Sequence, residues 1–109
     1  MTESEFLALA DRILSAIEKQ ADQWYDERDI DVEPERSGNV VTLVFDNGTR
    51  VVINSQAPLQ EMWLAAPGGA FHYRLDGGAW RDTRGGPDLP EALGAICSKA
   101  AGQPLTVTL

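Results

Sequence analysis

Residues 18 to 35, EKQADQWYDERDIDVEPE, carry eight carboxylates against two bases, Lys19 and Arg28. Carboxylates without histidine or thiolate beside them are hard oxygen donors, suited to Ca²⁺, Mn²⁺ or ferric iron rather than zinc or copper. Seven of them are the candidate metal ligands: Glu18, Asp22, Asp26, Glu27, Asp29, Asp31 and Glu33. A calcium loop of the EF-hand kind needs a glycine at its sixth position, and the run Asp29-Ile30-Asp31-Val32-Glu33 is followed by Pro34 instead. The pattern therefore predicts a row of shallow, partly hydrated sites that bind several ions weakly. The same row would suit a Lys/Arg-rich groove on a protein partner, or simply keep an outer strand from aggregating. A solvated surface is the ordinary reading of such a charge run, and two details weigh against it here. Acids at a helix C-terminus face the negative end of its dipole, and Glu18 and Asp22 repel each other across one turn.

A second stretch, NSQAPLQEMWLAAP at residues 54 to 67, has the makings of a recognition patch. Met62 and Leu64 share the parity that enters a core, so Glu61 and Trp63 point to the other face, near Asn54 and Gln56. A tryptophan on a polar sheet face either marks a contact surface or is partly covered by the adjoining loops. His72, the only histidine, is expected to be an ordinary sheet residue, with metal or haem ligation as the alternative. Cys97 is expected to be buried and inert. No catalytic residue is assigned. There is no serine or cysteine nucleophile with a partnered histidine, and no phosphate loop.

The net charge of −8 is unevenly placed: residues 1 to 35 hold eleven acids and three bases, and the remaining residues six of each. Such a field repels nucleic acid and anionic lipid and attracts cations or a basic protein surface. No apolar run approaches the ~20 residues of a membrane span, and the first residues are acidic where a signal or transit peptide is basic. With a lone cysteine, these features predict a soluble protein of the cytoplasm.

The elements that must hold these groups follow from periodicity. Phe6, Leu9, Ile13, Ile17 and Trp24, with Ala10 and Ala21, form a helical stripe opened by a Thr2–Glu5 capping box and ending near Tyr25. Asp11, Ser15, Glu18 and Asp22 share the opposite arc. From Asp29 the period becomes two, with Ile30 and Val32 inward and Pro34 stopping the strand. NVVTLVFDNGTRVVIN is a hairpin around Asn47-Gly48. Further strands are expected at 60–65, 70–75 and 79–82, and a second helix behind an Asp88–Glu91 capping box, ended by Gly102 and Pro104. Leu105, Val107 and Leu109 make an extended tail with one apolar side. The expected fold is one α+β domain over residues 1–109, a two-layer α-β sandwich with both terminal helices on one face of an antiparallel sheet.

Several of these motifs, in this order, resemble the bacterial frataxins of the CyaY type. SEFLALADRILSAIE with the acidic row and DIDVE is similar to that family's first helix and strand. FDNGTRVVINSQAPLQEMWLA resembles its Asn-x-Gln-x-Pro-x-x-Gln-x-Trp-Leu motif, and GGAFHYRLDGGAWRDTRGG and the closing helix also fit. The resemblance implies weak binding of ferrous and ferric iron along the ridge. It also implies association with a cysteine desulfurase and an iron–sulfur scaffold protein, and modulation of the desulfurase. By position the ridge is Glu18, Asp22, Asp29 and Asp31, with Asp26 and Glu27 in the link, and Asn54, Gln56, Pro58 and Trp63 match the partner-facing motif. Lys19, Gln23 and Tyr25 stand where relatives often have acids, and Glu61 replaces the motif's usual glutamine. A non-enzymatic iron-binding regulator is expected, as a monomer, with iron-driven oligomers as the alternative. A ferroxidase and an acidic adaptor that binds iron incidentally are the rival readings.

Overall fold

The computed structural model describes residues 1–109 in full. A long helix, α1 (Glu3–Arg28), is followed by six strands: β1 (Val32–Ser37), β2 (Val40–Phe45), β3 (Arg50–Gln56), β4 (Glu61–Ala66), β5 (Gly69–Asp76) and β6 (Ala79–Asp82). A second helix, α2 (Leu89–Ala101), closes the order. The strands pair only with their sequence neighbours, every pair antiparallel, in a single sheet ordered β1 to β6. Tight turns between consecutive strands permit nothing else. The apolar stripes of both helices and one side of the sheet merge into a single core of 23 buried residues, so the two-layer sandwich expected from the pattern is the fold.

Both helices begin as their sequences dictate. Thr2 Oγ1 accepts from the Glu5 backbone N–H at 3.1 Å and Glu5 returns a carboxylate to the Thr2 N–H at 2.9 Å, which holds the Glu5 carboxyl below its ordinary range. At α2 only half of the expected box forms, with Asp88 Oδ1 accepting from the Glu91 N–H. Gly102, at φ +73°, ends this helix.

Four expectations need correction. α1 runs one turn past Tyr25, because Asp29 takes the left-handed conformation (φ 54°) and its N–H donates to the Trp24 carbonyl. A short polar side chain such as aspartate tolerates that conformation. Asp29 therefore caps the helix and does not start a strand. Ile30 and Val32 are buried as expected, while pairing begins only at Val32. Pro34 does not stop β1. It sits inside the strand opposite Leu43, which an edge strand allows because its outward N–H positions need no partner. Of the tail, Leu105 and Val107 are buried but Leu109 is exposed.

Candidate metal-binding ridge and docking face

The ridge is built by the end of α1 and the chain that leaves it. Asp22, Asp26 and Glu27 lie exposed on the last two turns, Asp29 occupies the cap, and Asp31 and Glu33 follow, both exposed. None of the six takes part in a salt bridge. The base nearest in sequence, Arg28, reaches away from them to Gln103 and the Pro104 carbonyl (3.4 and 3.2 Å). Its guanidinium holds the tail and makes no ion pair with the acids.

Glu18 is a different case. Arg36 of β1 donates to Glu18 at 3.1 Å, to Ser15 at 2.9 Å and to Asp11 at 2.6 Å, clamping the strand to the polar arc of α1. These partners raise the Arg36 pKa, the Asp11 bond most of all. Of the seven sequence-predicted ligands, Glu18 alone is matched internally. One acid of the strip escaped the sequence reading. Asp46, in the β2–β3 turn, donates its backbone N–H to the Asp31 carbonyl at 3.1 Å, which brings that exposed side chain beside Asp31. The Val32–Phe45 pairing, one step further into the sheet, fixes that position.

No three histidine, cysteine or carboxylate side chains converge on a point that would hold a metal ion. The strip offers separate carboxylates around a convex end, so an ion bound there keeps most of its water and is held chiefly by summed charge.

The second candidate surface is the sheet face turned away from the helices. The register sets its residues in rows across the strands: Val40, Asn54, Trp63 and His72 in one, Gln56, Glu61, Arg74 and Arg81 in the next. Trp63 is half-buried and stacks flat on His72, with ring centroids 4.2 Å apart and planes 5° from parallel. Asn54 and Gln56 flank it, and Pro58 is exposed in the single helical turn Ala57–Leu59 that links β3 to β4.

Glu61 departs from expectation. It is on the open face by parity, yet only 4% exposed. One carboxylate oxygen accepts from the Trp63 indole N–H at 3.0 Å and lies 3.7 Å from His72 Nδ1; the other accepts from Arg74 at 2.5 Å. The indole bond first, then Arg74, hold its carboxyl below the ordinary range against the opposing effect of burial. Glu61 thus offers no free charge to a partner. Two further reactive side chains are Cys97 and His72. Cys97 is fully buried, and burial pushes its thiol up to about 12, so it presents neither a thiolate ligand nor a nucleophile. His72 is engaged in the stack.

A family model described as a frataxin-like domain matches residues 1–103. The iron-sulfur cluster assembly protein CyaY of Bordetella petrii is 62% identical over 109 residues, covering both chains completely. Among solved structures, frataxin from Psychromonas ingrahamii superposes with a TM-score of 0.85 at 34% identity and full coverage of both chains. A trimeric frataxin from the yeast Saccharomyces cerevisiae, complexed with ferrous iron, gives a TM-score of 0.69 at 28% identity over 94% of this chain and 88% of that one.

Proposed function

The chain belongs to the frataxin-like family, and from that premise we propose that it is a non-enzymatic, iron-binding regulator of iron–sulfur cluster assembly in the cytoplasm. Iron is its cargo, taken weakly as Fe²⁺ or Fe³⁺ on the strip Asp22, Asp26, Glu27, Asp29, Asp31 and Glu33, with Asp46 beside it. The partners are the cysteine desulfurase, whose basic surface the strip attracts, and the scaffold protein, met by the face around Asn54, Gln56, Pro58 and Trp63. The chain works as a monomer; the trimeric state of the yeast relative makes association on iron loading the variable to measure.

One observation carries this reading: six exposed carboxylates follow one another along the end of α1 and the start of β1, and none of them is in an ion pair with a base. A helix C-terminus favours bases, and only Arg28 stands in the last turn of α1, among Asp26, Glu27 and Asp29. The B. petrii relative bears the name of an assembly protein and the yeast relative was solved with ferrous iron, which supports the same reading. A ferroxidase is disfavoured, because oxidation at a metal pair needs ligands that converge, and none do.

The test is a folded triple variant with Asp22, Asp29 and Asp31 changed to Asn, titrated anaerobically with Fe²⁺ and assayed for binding to purified desulfurase at low and high salt. Loss of both bindings at low salt is expected. Unaltered binding of both would end the proposal. Intact desulfurase binding without iron would leave only the adaptor.

A further inference from the structure

The open face holds one carboxylate buried where a surface charge was expected, and its bonds all run sideways within the face. We infer that Glu61 is a positioning residue: it does not touch the docking partner but locks the Trp63 indole, through its N–H, in the orientation that stacks on His72 and presents a flat aromatic shelf. This rests on the reading that the Trp63 face docks a partner.

The physical case has three parts. An indole has a single donor, and on a half-exposed face that donor would otherwise turn to water, leaving the ring free to move between rotamers. Glu61 and Trp63 lie two residues apart on β4, hence on one side of the sheet, and the 3.0 Å bond between them ties the ring along the strand. The 4.2 Å stack on His72 then fixes the ring across the strands. Arg74, 63% exposed in its side chain, covers the second carboxylate oxygen and keeps the acid ionised under the shelf. A side chain ordered beforehand is not ordered at the partner's expense. Each immobilised side chain costs roughly 0.5–1.5 kcal/mol of binding, so the lock corresponds to about 2- to 10-fold in affinity.

The experiment compares the wild-type chain with Glu61→Gln, Glu61→Leu and Trp63→Ala. It reads the Trp63 indole N–H by ¹H–¹⁵N NMR in the free protein and measures affinity for the purified desulfurase–scaffold complex. Glu61→Gln keeps an acceptor for the indole and should retain both the protected N–H signal and the affinity. Glu61→Leu should expose and broaden that signal and weaken binding about 2- to 10-fold. Equal weakening by Gln and Leu, with the indole still protected, would mean that the partner touches the charge itself and would overturn the inference. So would an indole unchanged in Glu61→Leu, or one freed without any loss of affinity. Unaltered binding by Trp63→Ala would instead remove the docking reading, and the inference with it, even where the NMR result stands. Should Glu61→Leu fail to fold, Glu61→Ala removes the acceptor and leaves the exposed Arg74 to solvent. The same freed indole N–H and weaker binding are then expected, and an indole N–H still protected, or one freed without loss of affinity, would overturn the inference.

Discussion

The Arg36 guanidinium stands 3.1 Å from the Glu18 carboxylate, across the gap between β1 and α1, and holds Asp11 with its other terminal nitrogen at 2.6 Å. Glu18 therefore belongs to the framework. Its carboxylate is already in an ion pair, where those of the acids that follow it along α1 and β1 are not. Glu18→Gln is expected to change Fe²⁺ affinity less than about 2-fold, whereas Asp22→Asn weakens it visibly. Arg36→Ala should do two opposite things at once. It lowers stability by about 1 kcal/mol, the scale of a partly exposed ion pair, and it releases Asp11 and Glu18 to attract cations, so iron binding rises. Urea denaturation and anaerobic titration on the same sample check both signs. A fall in iron binding would return Glu18 to the ligand set.

Crowding of Asp26, Glu27 and Asp29 at the end of α1, with Arg28 turned to the tail, must cost stability. Replacing Asp22, Asp29 and Asp31 together by Asn should therefore stabilise the fold at low ionic strength, by a few tenths of a kcal/mol for each charge near the dipole. Asn also tolerates the left-handed backbone at Asp29. Added salt screens the repulsion and should close the gap between wild type and variant. Thermal midpoints measured from low salt to about 1 M are the check. A variant less stable than wild type at every salt would show that these acids serve the fold.

How far the sequence disclosed this molecule depended on the range of the interaction. The meander was legible because period-two runs were separated by glycine turns, and the capping box of α1 because its partners are three residues apart. Helix length was misjudged by one turn, since nothing local announces that an aspartate will adopt φ 54°. Asp46 was missed because its place beside Asp31 exists only through the β1–β2 register. Parity correctly set Glu61 on the open face but could not reveal that Trp63 and Arg74 would cover it. Side-chain closure of that kind depends on cross-strand neighbours 13 residues apart, as for Arg74 and Glu61.

Glu61 also predicts the acid limb of the stability curve. The folded protein binds the Glu61 proton less tightly than the unfolded chain does, whose carboxyl titrates at its ordinary value near 4.5. Its contribution is complete above that value and is lost as pH falls through the lower folded one. Glu61→Gln has no such proton to gain. Its urea midpoint should therefore decline less steeply than that of wild type below about pH 5. Parallel acid limbs for the two proteins would mean that the indole and Arg74 bonds do not discriminate the charged from the neutral acid.

Tyr73 offers the last test, inside the core. Its ring faces the helices from β5, it has no solvent exposure, and its hydroxyl bonds to no other protein group. Burial, with Asp82 and Asp88 nearby, pushes the phenol up to about 12, so it stays neutral. A buried hydroxyl without a partner forfeits roughly 1–3 kcal/mol of hydration that folding does not return. Removing the oxygen leaves a void smaller than a methyl group, so the packing loss is minor. Tyr73→Phe is accordingly expected to be neutral or to stabilise by up to about 1 kcal/mol in urea melts. The same substitution at a hydroxyl bonded to a buried water would cost about as much, because the water's other partners would lose a neighbour. Destabilisation by 1 kcal/mol or more would therefore show that the hydroxyl is bridged within the core, and that this part of β5 is held by a polar link rather than by apolar packing alone.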